Sequence, residues 1–342
     1  MHSPARASWR LVPLALVGLF LPRGARAQAD LQAQPSAWVD PSAHAVLGIA
    51  VEPQVRLEVL DWGGTGDAMV FLAGLSNTAH SFDEFAQRFL DAFHVYAITR
   101  RGFGASSHPG GGYDSATRAR DLLAVLDSLG IHRAILVGHS IAGDELSRFA
   151  VDYPDRVRAL VYLDAYSYGP DAETPTHPPY PPQAVPPITP ADSASLESVS
   201  DYLERRYGVS PPEAELRAVS RFASSGRLEL YPLPDARARV YAGTERSDYA
   251  RIQAPALAIF ATHASARHLF PAFGALDARN RAMAQAYFAS VQAWQAAQIA
   301  RFRAELPRAT VVEIPDANHF VHYSHPDVVE RDMRAFLADV PR

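Results

Sequence analysis

Cysteine and lysine are both absent from this chain of 342 residues, so every side chain with a permanent positive charge is an arginine. Without cysteine the protein can form neither a disulfide nor a thiolate metal site, and it cannot carry a lipid on a cysteine. A domain of this length buries enough apolar surface to fold without such cross-links. The net charge of −5 comes without any basic block, which argues against nucleic-acid binding.

The first residues have the composition of a bacterial secretory signal. Two arginines precede an apolar stretch at residues 11–21, and a small-x-small cleavage sequence ends at Ala27. This stretch is shorter than the roughly 20 residues that a membrane-spanning helix needs. We therefore expect residues 1–27 to be a signal peptide that is cleaved near Ala27, which leaves a secreted or periplasmic protein with no stable membrane anchor.

After a polar arm at residues 28–43, strand and helix patterns alternate along the chain. Such alternation is typical of an α/β fold with a mostly parallel sheet and helices on both faces. The alternation stops at residues 165–252, where a proline-rich stretch is followed by two short helical patterns. The predicted strands are 55–61, 68–72, 94–98, 134–137, 159–163, 256–261 and 309–314, and the predicted helices outside the interruption are 81–93, 115–129, 140–153, 279–306 and 326–339.

One turn between a predicted strand and a predicted helix places a serine at its bend. The apolar run 134–137 stops at Gly138, and a helical pattern resumes at Ile141. Ser140 lies between them, and the small residues Gly138 and Ala142 let the strand and the helix pass closely. This pattern indicates a nucleophilic serine, although a glycine-rich turn with an idle serine would look the same.

Further groups that a serine nucleophile requires occur elsewhere in the chain. His319 follows the last predicted strand and is a candidate general base. Leu75 follows the strand 68–72, and Ile141 follows the serine itself. Neither is proline, so both can offer a backbone N–H to a developing oxyanion.

Five sequence segments in this order resemble the α/β-hydrolase superfamily, and specifically bacterial serine esterases. The resemblance runs from about Val55 to the C-terminus. It implies a core at residues 44–164 and 253–342, a cap inserted at 165–252, and no cofactor. The segments are Phe71-Leu72-Ala73-Gly74, Thr99-Arg100-Arg101-Gly102-Phe103-Gly104, Gly138-His139-Ser140-Ile141-Ala142-Gly143, Leu160-Val161-Tyr162-Leu163-Asp164 and Asn318-His319.

The acid that would orient His319 has more than one candidate. Many relatives carry it after the strand that follows the cap, but residues 262–267 contain no carboxylate. Some relatives carry it one strand earlier, which favours Asp164 here. Asp277 and Asp316 are the alternatives, and an aspartate at a strand end is also a common turn or helix cap.

These residues together predict a hydrolase that cleaves a small-molecule carboxylic ester through an acyl-enzyme, with Ser140, His319 and Asp164 as its triad. Lactonase, perhydrolase and carbon–carbon bond hydrolysis would use the same triad. A binding protein that has kept the fold without activity is the other alternative. The histidines at 319, 322 and 325 do not have the spacing of a known metal motif, so no metal is expected.

Overall fold

The computed structural model describes residues 38–169, 177–230 and 235–341. The predicted signal peptide and residues 28–37 of the arm lie outside the described residues. The main sheet has eight strands in the order β1-β2-β4-β3-β5-β6-β9-β10, and a two-stranded hairpin β7-β8 lies in the inserted segment. The strands are β1 Ala45–Glu52, β2 Val55–Gly64, β3 Asp67–Leu72, β4 Phe93–Ile98, β5 Ala134–His139, β6 Val157–Leu163, β7 Arg221–Phe222, β8 Leu228–Leu230, β9 Ala256–Thr262 and β10 Thr310–Pro315.

The sheet is parallel from β4 to β10, and β1 and β2 extend it in the antiparallel direction. Successive residues of β3 face opposite sides, so Val70 and Leu72 belong to one apolar cluster and Met69 and Phe71 to the other. Both faces of the central strands are therefore buried, which explains their continuous apolar sequences. The predicted mostly parallel sheet with helices on both sides is confirmed.

Helices cover both faces of the sheet and build much of the insertion. Helices α2, α3 and the second half of α8 pack on one face, whereas α10 packs on the other. The helices are α1 Asp83–Ala86, α2 Ser115–Ser128, α3 Ala142–Asp152, α4 Leu196–Tyr207, α5 Glu213–Val219, α6 Ala236–Ala242, α7 Ala266–Leu269, α8 Ala278–Glu305, α9 Val321–Ser324 and α10 Pro326–Ala338.

Two elements differ from the sequence expectation. Strand β1 was not predicted, because it is an edge strand with mostly exposed residues and no clear alternation. The helix expected over residues 81–93 is instead a 3₁₀ turn at Ala79–Phe82, the short helix α1 and a second 3₁₀ turn at Gln87–Phe89. Strand β4 already begins at Phe93, the last residue of the predicted helix.

The inserted segment builds a small apolar cluster of its own. Tyr202 and Leu216, from α4 and α5, pack with residues of the β7-β8 hairpin. The long helix α8 contributes to two apolar clusters, since Tyr287 packs with Phe270 and Phe302 packs in the cluster on one face of the sheet. Among the described residues, none of the helices combines the length and the apolar character required to cross a membrane.

Candidate active site

The register of the parallel strands brings the predicted site residues to one edge of the sheet. Leu72 at the end of β3 pairs with Gly138 of β5, and His139 pairs with Leu163 at the end of β6. The loops that follow these strands begin at Ala73, Ser140 and Asp164. Because the carboxyl ends of neighbouring parallel strands meet at one edge, residues far apart in sequence lie side by side there.

Ser140 occupies a tight turn with left-handed backbone geometry. Its φ is +56°, a conformation that L-residues with side chains adopt at a cost on the order of 1 kcal/mol. The turn is held by hydrogen bonds from the Ser140 N–H to the Leu163 carbonyl (3.1 Å) and from the Gly143 N–H to the Ser140 carbonyl (3.0 Å). A Cβ at Gly138 would lie 2.8 Å from Leu146 Cδ1, so the close passage of β5 and α3 requires glycine there.

The structure brings Ser140, His319 and Asp164 into one chain of hydrogen bonds. The Ser140 hydroxyl lies 2.9 Å from His319 Nε2, and His319 Nδ1 lies 2.6 Å from Asp164 Oδ2. A carboxylate can only accept a hydrogen bond, so the Nδ1 atom carries the proton and Nε2 is free to accept one from the serine. The serine hydroxyl therefore faces a base that is already in the tautomer needed for deprotonation.

Asp164 is almost completely buried, and its carboxylate is fully hydrogen-bonded. Besides His319, it accepts hydrogen bonds at Oδ1 from the Tyr166 hydroxyl (2.8 Å) and the Ala261 N–H (2.9 Å). Burial, together with the negative charge of Asp164, raises the pKa of Tyr166 well above its usual value, so the phenol stays a donor. These three donors compensate for the loss of water around the buried charge.

The two predicted oxyanion donors lie at the same edge of the sheet. Leu75 packs against the cluster that contains Ile141, and among the hydrogen bonds of the described residues neither backbone N–H has a protein acceptor. An unpartnered N–H beside a nucleophile is available to an oxygen of the substrate. Leu75 and Ile141 therefore remain the two candidate donors.

A buried arginine holds the loop that carries Leu75. Arg100 donates to the carbonyl oxygens of Ala73 (2.8 Å) and Gly74 (3.3 Å), and its Nε bonds to Glu145 of α3. Arg118 pairs with the same glutamate and with Asp144. The guanidinium of Arg100 is thus used inside the protein and is not available to an anionic substrate. Arg101 is likewise paired, with Asp121 and Glu52.

His139, next to Ser140, packs against neighbouring rings and forms a local hydrogen bond. Its Nε2–H donates to the carbonyl of His319 (3.0 Å), and its Nδ1 would lie 2.7 Å from a Cβ at Gly74. Burial and the neighbouring His319 lower the pKa of His139 well below its usual value, so the ring is neutral. His139 therefore joins the loop that carries His319 to residues 73–78, the candidate oxyanion loop (called the oxyanion loop below).

Residues of the segment between β6 and β9 contact both Ile141 and the loop that carries Leu75. Ala236 and Val240 of α6 pack in one cluster with Ile141, and Leu75 lies against it. Glu215 of α5 accepts hydrogen bonds from the Asn77 side chain (2.9 Å) and the Thr78 N–H (3.2 Å) on the oxyanion loop. Burial raises the pKa of Glu215 to about 7, although these hydrogen bonds oppose the shift. The insertion is thus joined to the loop that carries Leu75.

Sequence reasoning did not single out Tyr168, which lies beside the nucleophile. Its hydroxyl oxygen is buried with no hydrogen-bond partner among the described residues, and it is close to the Ser140 hydroxyl. Burial and the charge of Asp164 raise the pKa of Tyr168, so the group remains a phenol. Only its position four residues after Asp164 could have drawn attention to it.

The two alternative candidates for the acid, Asp277 and Asp316, make their hydrogen bonds away from His319. Asp277 is exposed and caps α8 by accepting from the Asn280 N–H (2.8 Å). Asp316 accepts from the Ala264 N–H (3.0 Å) and pairs with His268 (2.8 Å). Neither carboxylate contacts His319.

The other two histidines of the C-terminal series do not join His319. His322 is buried between aromatic rings, and burial lowers its pKa to about 3. His325 caps the start of α10 and bonds to Ser324. The three side chains therefore do not converge on a common point.

The chain matches the family model described as alpha/beta hydrolase fold over residues 67–326. It is 27% identical over 277 residues to 2-(acetamidomethylene)succinate hydrolase of Mesorhizobium japonicum, a match that covers 80% of this chain and 89% of that one. It is 37% identical over 128 residues to a 2-hydroxy-6-oxononadienedioate/2-hydroxy-6-oxononatrienedioate hydrolase of Burkholderia vietnamiensis, covering 36% of this chain and 44% of the relative.

Solved structures share the same fold at low sequence identity. The crystal structure of an E-2-(acetamidomethylene)succinate hydrolase superposes with a TM-score of 0.62 at 23% identity. The match covers 86% of this chain and 100% of the solved chain. An esterase from Rhodococcus sp. ECU1013 superposes with a TM-score of 0.59 at 18% identity, and the match covers 86% of this chain and 99% of the esterase chain. With the family model matching most of its length and its sheet as described above, the protein belongs to the alpha/beta hydrolase fold family.

Proposed function

We propose that this protein is a serine hydrolase that cleaves a carboxylic ester of a small molecule through an acyl-enzyme intermediate. The observation that carries the proposal is the hydrogen-bonded chain from the Ser140 hydroxyl through His319 to Asp164, at 2.9 Å and 2.6 Å. A carboxylic ester is favoured over an amide because an alkoxide is the better leaving group. The available N–H groups of Leu75 and Ile141 add the donors that such a reaction needs.

In the proposed mechanism the Ser140 oxygen attacks the ester carbonyl while its proton passes to His319 Nε2. The tetrahedral oxyanion accepts hydrogen bonds from the Leu75 and Ile141 N–H groups, and Asp164 stabilises the imidazolium. His319 then returns the proton to the departing alkoxide, which leaves as an alcohol. In the second half, His319 deprotonates a water that attacks the acyl-serine. His319 then returns that proton to the Ser140 oxygen as the ester bond to the serine breaks and the carboxylic acid is released.

A fluorophosphonate probe tests whether the serine is activated. We expect wild-type protein to be labelled covalently and the Ser140→Ala variant not to be labelled, as read by intact-mass spectrometry. Ser147→Ala is the matched control, because Ser147 is a buried serine on α3 that bonds only to Gly143 and Tyr162. Wild-type protein that remains unlabelled would favour the inactive binding protein instead.

The Asp164→Asn variant tests whether Asp164 is the acid that orients His319. The asparagine can present its amide N–H to His319 Nδ1 and so favour the wrong tautomer, and we expect turnover of a p-nitrophenyl ester to fall by about 10⁴-fold. Asp277→Asn and Asp316→Asn are the controls and should leave turnover within about two-fold. Near-normal turnover in Asp164→Asn would transfer the orienting role to another carboxylate.

A second candidate is a hydrolase for substrates that carry a free carboxylate. Two relatives are named as hydrolases of a succinate and of dienedioates, which are dicarboxylates. In this chain Arg237 lies on α6, the helix that packs over Ile141. Its Nε atom is buried with no hydrogen-bond partner among the described residues, and burial lowers the pKa of the guanidinium. An arginine in that state is suited to a carboxylate of the substrate.

Arg237→Gln separates the two candidates. If the substrate is acidic, we expect the variant to raise KM for monoesters of dicarboxylic acids by about 10-fold to 100-fold, the equivalent of one charge-assisted hydrogen bond. The KM for neutral esters of equal length should not change. Arg239→Gln on the same helix is the control, because Arg239 is exposed and bonds to Gly110. An equal effect on both ester classes would remove this candidate.

We further propose that the protein is exported after cleavage behind Ala27, on the strength of the basic, apolar and small-x-small segments at its start. Expressed with its full sequence in a bacterium, the protein should be recovered from the periplasm or the medium with Gln28 as its first residue. N-terminal sequencing and mass measurement check this. An Ala27→Phe variant should keep its leader, whereas intact wild-type precursor in the cytosol would contradict export.

A further inference from the structure

Four side chains that the proposed mechanism does not use converge at the start of α1, beyond the oxyanion loop. Two come from the segment before β1, and two come from the 3₁₀ turn and the first residue of α1. One nitrogen or oxygen atom of each lies within 4.8 Å of the corresponding atoms of the others. This group, called the His–Asp cluster below, consists of Asp40, His44, His80 and Asp83.

Two atoms of the cluster are buried without a partner. His44 Nδ1 and Asp83 Oδ1 make no hydrogen bond among the described residues, and their side chains are only 5% and 3% exposed. They lie 3.9 Å apart, which is too far for a hydrogen bond between them. Leaving both atoms unsatisfied would cost stability, because buried polar groups without partners are unfavourable. The arrangement calls for a third atom between them.

A proton does not solve this problem. A protonated His80 donates from Nδ1 to Asp83 Oδ2 at 2.9 Å, which satisfies that oxygen. Protonation of His80 still leaves Asp83 Oδ1 and His44 Nδ1 without hydrogen-bond partners among the described residues. A cation placed among the four groups would instead contact both unpartnered atoms at once.

We propose that the His–Asp cluster binds one Zn²⁺ ion as a closed structural site. Two imidazoles and two carboxylates make a ligand set that suits Zn²⁺ and related first-row ions, whereas Mg²⁺ and Ca²⁺ prefer oxygen ligands alone. Ligands at roughly 2.0–2.2 Å from a tetrahedral ion are separated by roughly 3.3–3.6 Å. The separations of 3.9 Å between His44 and Asp83 and 3.7 Å between His80 and Asp40 need only small side-chain rotations to reach that range.

The groups around the cluster support the ligands. Asp40 uses Oδ1 to accept from the Ser42 N–H (2.8 Å), so its Oδ2 is the oxygen that faces His80. The second ring nitrogen of His80 faces the carboxylate of Glu58 at 3.9 Å, and imidazoles that bind metals commonly have a carboxylate on that side. The Ser42 hydroxyl donates to the Asp83 carbonyl (3.1 Å), which joins the two segments further.

A bound ion would fasten the segment before β1 to the turn that follows the oxyanion loop. Strand β1 is an edge strand with little buried surface, so an attachment at its start would add to its stability. This role requires no contact with substrate and does not depend on the proposed esterase activity.

The test uses the full chain without an affinity tag. After exposure to excess Zn²⁺ and gel filtration, we expect about one zinc per chain by mass spectrometry of the metal. Removal of the metal with a chelator should lower Tm by about 5 °C, and Zn²⁺ should restore it. Co²⁺ should replace zinc and give the visible absorption of a tetrahedral site, which reports on the wild-type protein without any substitution.

Two variants locate the ion. His44→Phe keeps the ring that contacts Trp62 but removes the nitrogen, and Asp40→Asn removes one charge at the more exposed side; both should lose bound zinc and the response of Tm. His94→Phe is the matched control, because His94 pairs with Asp61 outside the cluster. Wild-type protein without zinc or a Tm response, full zinc content in both variants, or a response to Ca²⁺ or Mg²⁺ alone would each overturn the proposal.

Discussion

The buried carboxylate of Asp164 is the point on which the geometry of the site depends. Its backbone N–H bonds to Ile259 of β9, and its side chain accepts from Ala261 of the same strand and from His319 in the loop after β10. A buried charge must be satisfied by donors in well-defined positions. Asp164 thereby links three neighbouring strands of the sheet, and the imidazole orientation follows from that link.

The opposite side of the site is organised by a second buried ionic network. Arg100 connects the carbonyls of the oxyanion loop to Glu145 in the helix behind Ser140. Glu215 reaches the same loop from the inserted segment. The loop that carries Leu75 is therefore bound to both the core and the insertion.

Local sequence patterns predicted seven of the eight strands of the main sheet and the tight turn at Ser140. The turn at Ser140 could be predicted because glycine at position 138 and a change from strand to helical periodicity are local signals. The helix α8 was predicted within one residue at either end because its pattern is long. Strand β1 could not be predicted in this way, since its exposed residues and Gly48 show no periodicity and its position follows only from pairing with β2.

The sequence by itself determined the kinds of groups present: a serine at a strained turn, a histidine after the last strand, and aspartates at several strand ends. Only the tertiary structure decided which aspartate faces His319, because that choice depends on the order of strands β6, β9 and β10. It also brought His44 next to Asp83, although no metal motif joins these residues in the sequence. Contacts between distant segments arise from sheet register and packing, which local patterns do not encode.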